Sequence, residues 1–64
     1  MIGKQGRVTT RIQPGRIGEV MVPVRGGTES FNAYSADADD VITSGTSVVV
    51  VEYSPPRTVV VSRM

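Results

Sequence analysis

The stretch TSVVVVEYSPPRTVVVSR, Thr46 to Arg63, decides the fold. It holds two valine-rich runs, Val48 to Val51 and Val59 to Val61, separated by Ser54-Pro55-Pro56. β-Branched side chains lose rotamer freedom in a helix and pack well on a pleated sheet. Prolines cannot continue a ladder, so the pair marks a turn between a strand at Thr46 to Tyr53 and another at Arg57 to Arg63. The first run does not alternate. It is therefore expected to be buried on both sides, or to turn one face toward a partner.

Working back toward the start, the same chemistry repeats. Gly6 to Gln13 alternates, with Val8, Thr10 and Ile12 on one face and Arg7, Thr9 and Arg11 on the other, as a sheet with one dry side requires. Pro14-Gly15 supplies a turn. A second strand spans Ile17 to Arg25, with Val20, Val22 and Val24 sharing a face; Pro23 removes a ladder donor and points to an edge position or a bulge. Gly26-Gly27 closes a hairpin into a third strand, Thr28 to Ala36, with Phe31 placed inward as the sole phenylalanine. Asp37 to Gly45 is a polar connection in which Asp37-Ala38-Asp39-Asp40 either caps one helical turn or forms a solvated loop, with Val41 and Ile42 returning to the core.

Five short strands, hairpins among the first three, one longer connection and a last hairpin predict an all-β, five-stranded OB-type Greek-key barrel spanning residues 1–64. An open SH3-like barrel is the nearest competitor. Closure also removes the sheet edges that a valine-rich chain would expose to aggregation.

Composition narrows the function. The chain has 64 residues, no cysteine and no histidine, so disulfide staples, the usual zinc ligands and the common nucleophile–base pairs are all missing. No apolar run approaches the roughly 18 residues of a membrane helix, and Met1 to Gln5 lacks the apolar core of a signal peptide. The chain as written reads as soluble. Lys4, the only lysine, lies too near an end to activate a serine, and a lipoyl-type carrier would need its lysine on a hairpin. Asp37, Asp39 and Asp40 lack the further oxygen ligands and the turn glycine of an EF-hand. Gly3-Lys4-Gln5-Gly6 is not followed by a helix that would receive a phosphate. No catalytic, cofactor-binding or metal-binding residue is expected, and the chain reads as a binding module rather than an enzyme.

Two surfaces compete for that role. The valines beyond what a small barrel needs define a candidate protein-contact surface at Val49, Val51, Tyr53 and Val60. The alternative is a single-stranded nucleic-acid surface at Arg7, Arg11 and Tyr34, against which stand a net charge of only +1 and just three aromatic residues.

The order of these pieces resembles a known family. Gly3-Lys4-Gln5-Gly6-Arg7-Val8-Thr9-Thr10, Pro14-Gly15 and Gly18-Glu19-Val20 resemble the opening of the C-terminal soluble domain of NfeD-like proteins. Phe31-Asn32-Ala33-Tyr34-Ser35 looks like that family's aromatic-x-Ala-x-Ser strand, and Ile42-Thr43-Ser44-Gly45-Thr46-Ser47-Val48-Val49-Val50 like the segment entering its fourth strand. The resemblance covers almost the whole chain; the Pro55-Pro56 turn and several strand positions without an aromatic depart from it. It implies an OB-fold domain, the soluble C-terminal part of a longer membrane protein whose transmembrane helices lie outside this sequence. The intact protein would then be membrane-associated, with this domain on the cytoplasmic side. The partner it implies is a stomatin/flotillin-type (SPFH) membrane scaffold, with a link to membrane-protease regulation. It implies no cofactor and transfers no catalytic residue, and it leaves homo-oligomers open.

Overall fold

The computed structural model describes residues 1–37 and 39–64. Five strands form: β1 (Gln5–Thr10), β2 (Gly18–Val24), β3 (Gly27–Ser35), β4 (Ser47–Ser54) and β5 (Thr58–Arg63). They close into a barrel in the order β1-β2-β3-β5-β4, with β1 completing the ring against β4. Every pairing is antiparallel except β3 with β5. This is the OB-type barrel that the sequence predicts, with each strand displaced by at most a few residues.

The interior is almost entirely valine. Seven of the eleven buried apolar residues are Val8, Val20, Val22, Val48, Val50, Val59 and Val61, joined by Ile12, Phe31, Ala33 and Ile42. A five-stranded ring is narrow, and short branched side chains fill it without the reach that leucine would need elsewhere in the lumen. Each contributes on the order of 1.5–3 kcal/mol relative to exposure. No polar side chain is buried among the described residues, so none needs a partner inside the barrel.

Two bulges correct the sequence reading. The first interrupts the β1–β2 register between Val8 and Thr10. The extra residue breaks the period-2 count, so Thr10 is exposed although Val8 and Ile12 are both buried. The β1 ladder stops there, and Ile12 continues only as an isolated bridge to Ile42. The second bulge interrupts β4 against β5 between Val50 and Glu52. It explains why four consecutive valines show no alternation: Val48 and Val50 face inward, Val49 is half-buried on the outside, and Val51 is the inserted residue.

The long connection also differs from expectation in one place. Ile42 is buried and hydrogen-bonds reciprocally with Ile12 through the backbone, whereas Val41 is 44% exposed. Neighbours on a bridged, extended segment point to opposite sides, so anchoring Ile42 turns Val41 outward. The acidic segment forms a turn: the Asp39 backbone N–H donates to Asp37 Oδ1 and the Asp40 N–H to the Asp37 carbonyl. Ala38 lies outside the described residues. Arg63 then clamps the end of the turn, its Nε and Nη2 donating to the two Asp40 carboxylate oxygens at 2.9 and 2.7 Å.

Pro23 sits past the last β1–β2 pair, Arg7 with Met21, where β2 has only β3 beside it. That is the edge position its missing N–H requires.

Closing the ring demands close backbone approach at two glycines. A Cβ on Gly18 would lie 2.5 Å from Ile12 Cγ1, 2.6 Å from the Thr10 carbonyl oxygen and 2.8 Å from that of Arg11. A Cβ on Gly6 would lie 2.8 Å from the Met21 carbonyl oxygen and 3.0 Å from Val22 Cγ2. Both sets include backbone atoms that cannot swing aside.

A small cluster forms around Phe31. Phe31 is 4% exposed. The Tyr53 ring meets it edge to face with centroids 6.4 Å apart, and the Arg57 guanidinium carbon lies 5.8 Å from its centroid. Arg57 Nη1 donates to the Ser30 carbonyl, and its carbonyl accepts from the Asn32 N–H. Arg57 thereby binds β3 just before its parallel pairing with β5 begins.

Two stability predictions follow from this packing. Gly18→Ala should lose about 1–3 kcal/mol through overpacking, read as a lower urea midpoint with an unchanged slope; an unchanged midpoint would remove Gly18 from the closure argument. Phe31→Ala should cost about 3–5 kcal/mol, enough to unfold much of so small a domain. Arg57→Gln, which removes an exposed cation together with its hydrogen bond to Ser30 and its contact with Phe31, should cost about 1 kcal/mol. Equal losses for the two, measured by thermal unfolding, would contradict the assignment of Phe31 to the core.

Candidate interaction surface

The outer faces of β3, β5 and β4 bring several apolar side chains near one another in a strip, with Glu52 and Ser62 among them. Register places Tyr34 beside Val60, and Val60 opposite Glu52 on β4. Val49 stands opposite Ser62, so it is the diagonal neighbour of Val60, a spacing within reach of side-chain contact. Tyr34 is 49% exposed, while Val49 and Val60 are half-buried. Val51, 37% exposed, projects from the bulge beside this strip.

The bulge gives Tyr53 a different position. It faces Val59, an inward residue, and leans over the barrel end onto Phe31, leaving 39% of its surface exposed. Its hydroxyl donates to the Pro56 carbonyl at 3.2 Å. Of the four residues singled out for protein contact, the fold thus gathers Val49, Val51 and Val60, while Tyr53 stands at the rim. Tyr34, considered for nucleic acid, joins the same strip.

The fold does not bring Arg7 to Tyr34. Arg7 pairs with Met21, and Met21 with Ser30, four residues before Tyr34 on β3; at about 3.3 Å per residue that is roughly 13 Å along the strand. Glu19 lies between these levels, accepting from the Thr9 hydroxyl. Arg11 follows the first bulge, in the short link to Ile12, and is exposed.

Among the described residues, two surface depressions have no lining residue in common. One, of about 180 Å3, lies between the Pro14-Gly15 turn and the end of β3, against Ile12, Gln13, Tyr34, Asp37 and Asp40. The other, of about 330 Å3, runs across the outer face of β1 and β2 and is lined by Gln5, Arg7, Met21, Pro23, Thr28 and Ser47. Reading the sequence strand by strand isolates Arg7 and Pro23 but does not connect them. The available signal is Pro23 itself: a proline at a strand edge marks where two strands must part.

Among the described residues, no group of three or more His, Cys, Asp or Glu side chains is placed to hold a metal ion. No helix among them is long and apolar enough to cross a membrane.

Comparison with known proteins agrees with this architecture. Residues 5–62 match the family model described as the NfeD C-terminal domain. The structure is similar to the soluble domain of the NfeD protein YuaF from Bacillus subtilis, with a TM-score of 0.80, 34% identity, and coverage of 95% of this chain and 70% of that one. It is also similar to the C-terminal domain of stomatin operon partner protein 1510-C from Pyrococcus horikoshii, with a TM-score of 0.73, 34% identity, and coverage of 100% and 88%. A third likeness, at 20% identity and a TM-score of 0.69 over 94% of this chain and 86% of the other, supports the fold alone. It is to the soluble domain of a membrane protein from Corynebacterium glutamicum implicated in regulation of membrane protease activity. No curated protein sequence matches the chain. The chain belongs to the NfeD C-terminal domain family.

Proposed function

We propose that this domain is a non-catalytic protein-interaction module of an NfeD-like membrane protein, and that it helps a stomatin/flotillin-type scaffold assemble or regulates a membrane protease. The observation that carries this reading is the outer strip of Tyr34, Val60 and Val49 with Val51 beside it. The barrel interior is filled without these side chains, and Tyr34 and Val51 leave much of their apolar surface exposed. Apolar groups grouped on a small domain's surface are characteristic of protein contact. The similarity to a stomatin operon partner supports the choice of scaffold. Tyr53 would extend the contact at the rim.

The nucleic-acid alternative draws less support. Arg7 lies well along the barrel from Tyr34, and Tyr34, the one ring of the set, stands beside Val60 rather than along a basic groove.

The test uses variants that leave the barrel intact. Binding of the purified domain to a stomatin/flotillin-type scaffold should weaken at least tenfold with Tyr34→Ala and with Val51→Lys, both exposed positions. Arg16→Gln, in the turn away from the strip, should bind as the parent does. Unchanged affinity in both strip variants, or no binding by the parent, would reject the proposal. So would micromolar binding of a single-stranded oligonucleotide at physiological salt that depends on Arg7, Arg11 and Tyr34.

A further inference from the structure

The depression across β1 and β2 has a definite cause. The β1–β2 ladder ends at Arg7 and Met21. The next position on that face of β2 is Pro23, which has no N–H to offer, and the strands part beyond it. Gly6, close against Met21 and Val22, adds no side chain, and its neighbours on β1, Gln5 and Arg7, line the wedge-shaped depression. The wedge is floored by Met21 and Pro23 and edged by the Gln5 amide and the Thr28 and Ser47 hydroxyls.

Its only charged lining residue is Arg7. The Arg7 guanidinium makes no ion pair and no hydrogen bond among the described residues. By contrast, the arginines flanking β5 are engaged: Arg57 with Glu29 and Arg63 with Asp40.

The charge distribution reinforces the point. Residues 1–25 hold Lys4, Arg7, Arg11, Arg16 and Arg25 against the single acid Glu19, a net charge of +4. Residues 26–64 hold Arg57 and Arg63 against Glu29, Asp37, Asp39, Asp40 and Glu52, a net charge of −3. The overall +1 conceals a strongly basic half, and that half carries β1, β2 and most of the wedge.

We infer that this wedge binds an acidic, apolar peptide segment of a partner protein. A carboxylate of the segment pairs with Arg7, an adjacent apolar side chain covers Met21 and Pro23, and the peptide's polar groups meet Gln5, Thr28 and Ser47. Arginine suits this role, because its planar fork donates two parallel hydrogen bonds to a carboxylate. The wedge offers no aromatic ring on which a base would stack, so a peptide fits it better than a nucleic-acid strand. The inference deepens the reading of the domain as a protein-interaction module and rests on it, but it concerns a different surface.

The experiment is an NMR titration of the 15N-labelled domain. The probes are a capped hexapeptide of alternating Glu and Leu, the same peptide with Gln for Glu, and a thymidine oligonucleotide. Expected are shifts confined to Gln5, Gly6, Arg7, Met21, Thr28 and Ser47 with the acidic peptide. Affinity should fall at least tenfold for the Gln peptide and for Arg7→Gln, with Arg7→Lys between, and should fall as salt rises.

Four outcomes would overturn the inference: no shifts, equal response to both peptides, shifts centred on Tyr34 and Val60, or tighter occupation of these residues by the oligonucleotide. Concentration-dependent shifts of the same residues without peptide would overturn it too, by making a second copy of the chain the occupant. Scaffold binding that depends on Tyr34 and Val51, alongside a silent wedge, would reject this inference alone. A responsive wedge with no scaffold binding would reject only the choice of partner made above.

Discussion

The structure depends on β1 being paired along both of its edges. It takes β2 on one side and β4 on the other, and that double pairing turns an open sheet into a barrel. A flat six-residue strand cannot serve both neighbours, because they run away from it in different directions. The bulge between Val8 and Thr10 bends β1 to follow the curvature. Gly18 then lets the returning chain lie against the Thr10 and Arg11 carbonyls, where any side chain would collide. The narrowness so imposed suits the core: seven valines, two isoleucines, one alanine and a single phenylalanine among the described residues.

That constraint separates what was legible in the sequence from what was not. Strand order follows from turn chemistry, since Pro14-Gly15, Gly26-Gly27 and Pro55-Pro56 announce the reversals directly. Phe31 is assignable to the interior as the only aromatic ring in the chain without a polar group. The misreadings at Thr10 and Val41 share one origin. Period-2 alternation assumes an unbroken ladder, and a bulge or an isolated bridge resets the count without leaving any mark in residue type. The valine run of β4 shows the same effect from the other side. Its lack of alternation was visible, but the displacement of Tyr53 onto Phe31 depends on a register that only the pairing with β5 reveals.

The charge pattern follows the same logic. A net charge near zero reads as indifference to charged partners until the charges are placed in space. The acids that neutralise arginine do so around β5, where Arg57 and Arg63 are held by Glu29 and Asp40. The unpaired basic residues fall on the half of the chain that builds β1 and β2. Exposed ion pairs stabilise little, so those at β5 matter more for position: they fix the ends of the one strand that joins β3 in parallel.

Barrel order gives the two surfaces a fixed relation. In the ring β1-β2-β3-β5-β4, the neighbours of β5 are β3 and β4, which leaves β1 and β2 across the barrel from it. The apolar strip is centred on Val60 of β5, and the wedge lies where β1 and β2 part. A partner on one surface therefore leaves the other open, with the barrel core between them. Partners bound as proposed would be held by different attractions: area removed from water at the strip, and a carboxylate steered to one arginine at the wedge. Salt should weaken the second and leave the first almost untouched, so a domain of this size can hold two segments whose affinities respond independently to their surroundings.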